Sequence, residues 1–313
     1  MGFWTLNEPY PFERDHTSSP TGSTYEMVEF TSDDQLKQEL CIYLLHYFGN
    51  PPHTPSFEIP VDQLVMENDY LLFVRESSNV VGCIRYHYVG ITQGLPIHVV
   101  DCFCIHPQWR KKGVGDYLLT ELHRYSNTQG NPYALFLKEG ACLPLYKVFP
   151  MYSSGYLCRT MNQYQSSPYL TNLSIKQAHD LITIYQTFYP DRLILLHQRP
   201  NQQWKLFEYR DHVCTKRIII GIQDSFQRLT LKGKRMAWMT AWLETPGMTE
   251  EIRLMAANAV ADSLYPDYGA LWMDHEWMGM NEIPGWKEDG AFHWYTYQWK
   301  TSSTMNKGYA LMM

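Results

Sequence analysis

Apolar positions along the chain follow two periods. Over 33–48 they fall at Leu36, Leu40, Tyr43, Leu44 and Tyr47, three or four apart, which predicts a helix closed by Gly49-Asn50-Pro51-Pro52. Three strand-like runs follow at 70–75, 80–88 and 97–105, with Ser77-Ser78-Asn79 and Gly94 as turn signals. A helix over 116–125, a strand over 133–137, a helical segment over 142–152 and a strand from Tyr156 complete this block. Its order is helix, three strands, helix, strand, helix, strand. Residues 163–171, with Ser166-Ser167-Pro168, read as a linker, and beyond them the order partly repeats. Helices are predicted over 174–188 and 249–264, the second with Leu254, Ala257 and Ala261 on one side, and strands over 193–197, 204–209, 216–222, 236–243 and 292–299. The first 24 residues mix Pro, Ser, Thr and Gly behind an aromatic head and read as an extended arm. The pattern predicts an α+β protein of two similar halves, 1–165 and 166–313.

One local motif carries chemistry. Arg110-Lys111-Lys112-Gly113-Val114-Gly115 joins the apolar run 99–105 to the helix at 116. Glycines let backbone N–H groups turn toward an anion, the helix start adds the positive end of its dipole, and the basic side chains add charge. The bland alternative is an exposed basic turn, and six residues leave both readings open. Only the first half contains this loop, so one cofactor site per chain is expected.

Composition narrows the partners. With 313 residues and a net charge of −6, the chain has room for two units and no overall field attractive to nucleic acid, so the basic loop is a local feature. Seven cysteines lack metal-ligand spacing, so no metal is expected, and Cys102-x-Cys104 would place two thiols on one buried side of a strand. No signal-like N-terminus and no apolar run near about 20 residues is present, which predicts a soluble, cytoplasmic protein without a membrane span.

A strand followed by Arg-x-x-Gly-x-Gly and a helix resembles the acetyl-CoA signature of the GCN5-related acyltransferase superfamily. Two such halves in tandem, with the cofactor loop only in the first, look like the N-myristoyltransferase family. Several stretches carry this narrower resemblance. Phe3-Trp4-Thr5-Leu6-Asn7-Glu8-Pro9-Tyr10-Pro11 is similar to the family's Phe-Trp arm, Cys102-Phe103-Cys104-Ile105-His106 to its Phe-Leu-Cys-Val-His strand, and Gly140-Ala141-Cys142-Leu143-Pro144 to its Gly-Val-Val-Leu-Pro turn. Residues 271–290 and Tyr297-Gln298-Trp299-Lys300 resemble its second-half segment. The resemblance spans nearly the whole chain; 176–248 matches only in outline.

It implies two acyltransferase-like halves related by a pseudo-twofold axis, and transfer of a myristoyl group from myristoyl-CoA, as co-substrate, to an N-terminal glycine amine. No prosthetic group is implied, and a monomer is expected. Arg110, Lys111, Lys112, Gly113, Val114 and Gly115 would hold the coenzyme A phosphates, while Phe3, Trp4 and Tyr47 would contact the acyl-CoA. The oxyanion would be met by the backbone N–H groups of Cys102 and Phe103. Read from the residues alone, the alternative there is a Cys102–His106 thiolate pair. The general base would be the carboxylate of Met313, thirteen residues beyond Lys300. Acceptor contacts would come from Phe57, Gly140, Tyr152, Asp289 and Gly290, with core packing the competing role for Phe57 and Tyr152. Departures cluster on the acceptor side. The family's acidic run becomes Gly49-Asn50-Pro51-Pro52-His53-Thr54-Pro55, its Tyr-Trp-His becomes Tyr152-Ser153-Ser154, and Lys138 replaces a threonine. Asp101 replaces an asparagine and is expected to bind the acceptor ammonium or share the base role. Other outcomes of such a sequence are a transferase for a different acyl-CoA and amine, or a silent acyl-CoA or glycine binding module.

Overall fold

The computed structural model describes residues 26–29, 34–48, 57–92, 94–143, 148–196, 204–213, 215–229, 233–280, 282–299, 301–306 and 308–312. In the first half lie β1 (Glu26–Glu29), α1 (Asp34–Tyr47), the single turn α2 (Val61–Leu64), β2 (Tyr70–Glu76), β3 (Asn79–Thr92) and β4 (Leu95–Ile105). They are followed by α3 (Val114–Thr128), β5 (Ala134–Glu139) and β6 (Val148–Thr160). The second half contains β7 (Leu170–Asn172), α4 (Ile175–Phe188), β8 (Ile194–Leu196), β9 (Lys205–Arg210), β10 (Arg217–Arg228) and β11 (Arg235–Glu244). It closes with α5 (Glu250–Leu264), β12 (Tyr268–Asp274), β13 (Lys287–Tyr297) and β14 (Tyr309–Met312).

Among the described residues these strands form one mixed sheet in the order β1-β2-β3-β4-β5-β13-β6-β12-β11-β10-β9-β7, with β14 against β11 and β8. The order is nearly palindromic. Each half contains an antiparallel meander ending in a parallel pair, β4 with β5 and β11 with β12, joined across the sheet by α3 and α5 respectively. One strand of each half is exchanged: β13 pairs with β5, β6 pairs with β12, and β6 and β13 pair with each other at the centre.

The helices follow local chemistry. Ser174 caps α4 in a capping box with Gln177, and the Thr249 hydroxyl accepts from the Ile252 N–H to start α5. Val114, Leu118, Leu119 and Leu122 form the buried stripe of α3, packed with Leu72, Val74 and Ile84 of the sheet. Complete burial of a leucine such as Leu118 contributes roughly 2 kcal/mol. The helix comes close because Gly82 has no side chain; a Cβ there would meet Ile105 and Leu118 at 2.9 and 3.0 Å.

Two expectations from periodicity are corrected. The helix predicted over 142–152 is replaced by β6, which begins at Val148 and runs without a break to Thr160. Pro150 is accommodated in the strand because it lies beside a register shift against β13, where a missing N–H is tolerated. The last aromatic strand begins at Lys287 rather than at 292. The expected pairing of the thiols on one side is observed: Cys102 and Cys104 are both buried in a cluster with Leu40, Tyr43 and Cys83.

Candidate active site

β4 and β5 are paired only from His98–Ala134 to Val100–Phe136, and past that point the two strands have no ladder. At the same place β4 slips against β3, from Asp101 opposite Arg85 to Cys104 opposite Cys83. Cys102 and Phe103 together oppose the single residue Ile84, a bulge in which Cys102 takes φ +47°. The N–H pair expected to meet an oxyanion therefore sits where the ladder is interrupted and the strands part. The Cys102 thiol is no nucleophile. It is 3% exposed, burial and the neighbouring Asp101 push it well above the ordinary thiol range, and His106 turns elsewhere. The His106 Nδ1 accepts from the Gln108 N–H at 3.2 Å, and its ring packs on Tyr47 with centroids 4.5 Å apart.

Asp101 has a different task from the one expected. Its carboxylate accepts from the Arg85 Nε and guanidinium NH2 group at 2.7 and 2.6 Å, a two-pronged pair with a guanidinium that also donates to the Gln63 and Leu64 carbonyls. Burial disfavours the Arg85 charge, but Asp101 more than offsets this and keeps it protonated. A carboxylate committed to such a fork holds β3 and β4 together across the bulge.

The basic loop begins in the single 3-10 turn Pro107–Trp109 and ends at the start of α3. Arg110, Lys111, Lys112 and Gly113 are exposed; Arg110 Nε donates to the Ile105 carbonyl at 3.2 Å, and the Lys112 ammonium lies 4.7 Å from the Trp109 ring centre. Lys111 and Gly113 both have positive φ, +63° and +86°. Left-handed residues in close succession curl the backbone so that N–H groups converge, and Gly113 brings no side chain to cap the helix. The first turn of α3 is thus offered to an anion, with three cationic side chains beside it. That arrangement fits a pyrophosphate. A Cβ on Gly115 would lie 3.3 Å from the Phe103 ring, so the loop and the bulge are in direct contact. Tyr47, through His106, lies at the same corner.

On the other side of the parted strands, β5, β13 and β6 run side by side. Gly140 donates its N–H to the Ala291 carbonyl at 2.9 Å. Asp289 and Gly290 form a second bulge, against β6, and Asp289 accepts from the Trp272 indole at 2.5 Å. Tyr152 is half-buried between Phe292 and Tyr309. Lys138 opposes His293 and donates to the Glu139 carbonyl. Phe57 is not brought to this place: it is 7% exposed and packs on Phe48 and Phe226, so core packing is its role. Phe3, Trp4 and Met313 lie outside the described residues.

One group escaped the sequence reading. Asp274 ends β12, is 1% exposed, and accepts from Ser154 Oγ at 2.5 Å, from the Glu276 N–H at 3.0 Å and from the Tyr309 hydroxyl at 3.3 Å. Burial pushes its carboxyl from 3.8 up to about 6, the hydrogen bonds only partly opposing this. An acidic residue closing an apolar run was the available signal. Tyr309 begins β14, which is threaded between β11 and β8 with Tyr309, Ala310 and Leu311 buried.

Comparison with known proteins bears on this fold. Residues 67–149, which include the bulge and the basic loop, match the acetyltransferase (GNAT) domain. A crystal structure of Saccharomyces cerevisiae N-myristoyltransferase with bound myristoyl-CoA is similar with a TM-score of 0.67 and 11% identity, over 96% of this chain and 92% of that one. A second, also with bound myristoyl-CoA, gives a TM-score of 0.65 and 10% identity, over 92% and 82%. A search of curated proteins gives no match. At these identities the likeness is one of fold, and it supports the expected mixed α/β architecture with an acyltransferase-type domain.

Proposed function

We propose that the chain transfers an acyl group from an acyl-CoA to an amine, and that the pair is myristoyl-CoA and the N-terminal glycine of a cytoplasmic protein or peptide. The observation that carries the proposal is the juxtaposition of the Cys102–Phe103 bulge with the uncapped, basic start of α3, because attack on a thioester needs oxyanion donors beside an anchor for the donor's phosphates. Arg110, Lys111, Lys112 and the N–H groups from Gly113 to Gly115 would hold the pyrophosphate. Coenzyme A supplies a thiolate leaving group when bound. Burial of a fourteen-carbon chain, at about 0.8 kcal/mol per methylene, gives roughly 10 kcal/mol of binding.

The acceptor amine must be neutral when it attacks, and an α-amine has an ordinary pKa of about 7.7–8.0. A carboxylate is a weak base toward it unless desolvated. The burial of β14 up to Leu311 supports a docked end of the chain, and in this reading Met313 supplies the carboxylate. Asp274 would act through Tyr309 as a positioning residue for that strand. Gly140, Tyr152, Asp289 and Gly290 would border the peptide.

The test is mass spectrometry of a library of Gly-starting peptides incubated with acyl-CoAs of different lengths. Transfer of the fourteen-carbon group to the glycine amine is expected. Transfer only of short acyl groups, or only to other amines, would replace the substrate pair, and binding without turnover would remove the enzyme. Deleting the last two residues is expected to abolish transfer; unchanged transfer would refute the terminal base.

A further inference from the structure

The exchanged strands bring together two side chains that the acyl-transfer reading does not use, Ser153 and His293, beside the Gly140 carbonyl. Ser153 Oγ is 2.7 Å from His293 Nδ1, and His293 Nε2 is 2.8 Å from the Gly140 carbonyl oxygen. A carbonyl only accepts, so Nε2 carries the imidazole proton, and Nδ1 is left as the acceptor of the Ser153 hydroxyl proton. We propose that Ser153 is a nucleophilic serine, with His293 as its general base and the Gly140 carbonyl holding the tautomer, and that it takes the acyl group of a thioester or activated ester.

The geometry meets the requirements for such a pair. Nucleophile and base are within hydrogen-bond reach, and the base is oriented by a third group. Ser153 is exposed and His293 half-buried, so the hydroxyl is accessible while the ring is held. The turn that presents the Gly140 carbonyl is fixed at both ends to β13, by Gly140 N–H to Ala291 O and by Leu143 N–H to the Tyr295 hydroxyl, each 2.9 Å. Cys142 is the rival nucleophile. Its sulfur is 3.5 Å from both ring nitrogens, so it straddles the ring and neither in-plane lone pair points to it.

The location favours an acyl substrate. Ser153, His293 and Lys138 are opposite one another across β6, β13 and β5, and so share one sheet face. Lys138 is two residues beyond Phe136, where pairing with β4 ends, and Phe136 packs in the cluster under α3. The pair therefore flanks the gap between β4 and β5 on the side of α3 and the basic loop. Ser153 Oγ adds to the acyl carbon as its proton passes to His293 Nδ1. The carbon–sulfur bond breaks, and the departing thiolate takes that proton. Water then adds to the serine ester, gives its proton to His293, and the carbon–oxygen bond breaks; the serine recovers a proton and a carboxylic acid leaves. The net reaction is thioester plus water to acid plus thiol.

The choice of acyl-CoA as donor rests on the proposed function, and the experiment separates the two. The full chain is treated with a fluorophosphonate, which needs no acyl-CoA, and labelled peptides are mapped. Label at Ser153 is expected, lost in Ser153→Ala, reduced at least tenfold in His293→Gln, and kept in Cys142→Ala, with near-ultraviolet circular dichroism reporting that each variant is folded. No label at Ser153 in the folded protein, or labelling indifferent to His293, would overturn the assignment. Release of thiol from myristoyl-CoA without any amine is expected to fall at least tenfold in Ser153→Ala, and an equal rate in the variant would also overturn it. That comparison applies where the wild type releases thiol; serine labelling with no thiol release from any acyl-CoA in either protein keeps Ser153 as the activated nucleophile and removes the acyl-CoA donor instead.

Discussion

Replacing Asp274 by asparagine should change how stability depends on pH. The carboxyl is 1% exposed and raised from 3.8 to about 6 in the folded protein. Below 3.8 it is protonated in both states and contributes nothing. As pH rises to about 6 the unfolded chain releases its proton while the folded protein keeps it, so stability falls through that window. Above about 6 the folded protein carries a buried anion. A gap of about 2 at 1.36 kcal/mol per pH unit amounts to roughly 3 kcal/mol of destabilisation at neutral pH. Roughly 1 kcal/mol of it has developed at pH 4.5, leaving about 2 kcal/mol between pH 4.5 and 7.5. The amide that replaces the carboxylate can still accept from the Glu276 N–H, and loss of the carboxylate's other bonds shifts stability equally at all pH. The assay is urea unfolding of both proteins at pH 4.5, 6 and 7.5. The variant should gain about 2 kcal/mol on the wild type across the series. A difference independent of pH, or one that moves the other way, would refute the reasoning.

Three further outcomes are expected. Asp101→Asn leaves the buried Arg85 without its counter-charge and should cost about 3 kcal/mol, the low end for a broken buried pair because Asp101 is one-third exposed; an unchanged urea midpoint would return Asp101 to the chemistry. Gly113→Ala meets open space but must adopt φ +86°, so a loss of about 1–2 kcal/mol in stability is expected, with weakened acyl-CoA binding by calorimetry. Of the cysteines among the described residues, alkylation of the native protein should modify the exposed Cys142 first, while Cys83 and Cys102, pushed up by burial, react only on unfolding; early loss of Cys102 would mean that the bulge opens.

What could be read from the sequence was what neighbours in the chain decide. The helix of the basic loop and the loop's own backbone chemistry are local, so Arg110 to Gly115 could be placed before any tertiary contact was known. β12 escaped because both its faces are buried, which erases the alternation that marks a strand. The helix expected at 142–152 gave way to β6, whose Pro150 is tolerated beside a register shift that only its partner strand creates. Site groups were lost in proportion to their separation. Arg85 and Asp101 are sixteen residues apart and meet only because the register slips, which no pattern announces. Ser153 and His293 are 140 apart, and their meeting depends on which strand lies beside which.

The exchange of β6 and β13 also dictates an order of events during synthesis. β5 obtains its second neighbour only from Lys287–Tyr297, and β6 is flanked on both sides by strands of the second half. While the ribosome extends the chain past the linker, two apolar sheet edges of the first half wait for partners that do not yet exist. Such edges invite pairing with other chains, and contacts of long sequence separation form slowly. A fragment ending near residue 165 should therefore aggregate rather than fold, and the nascent protein depends on a chaperone or on rapid completion until its last strands emerge.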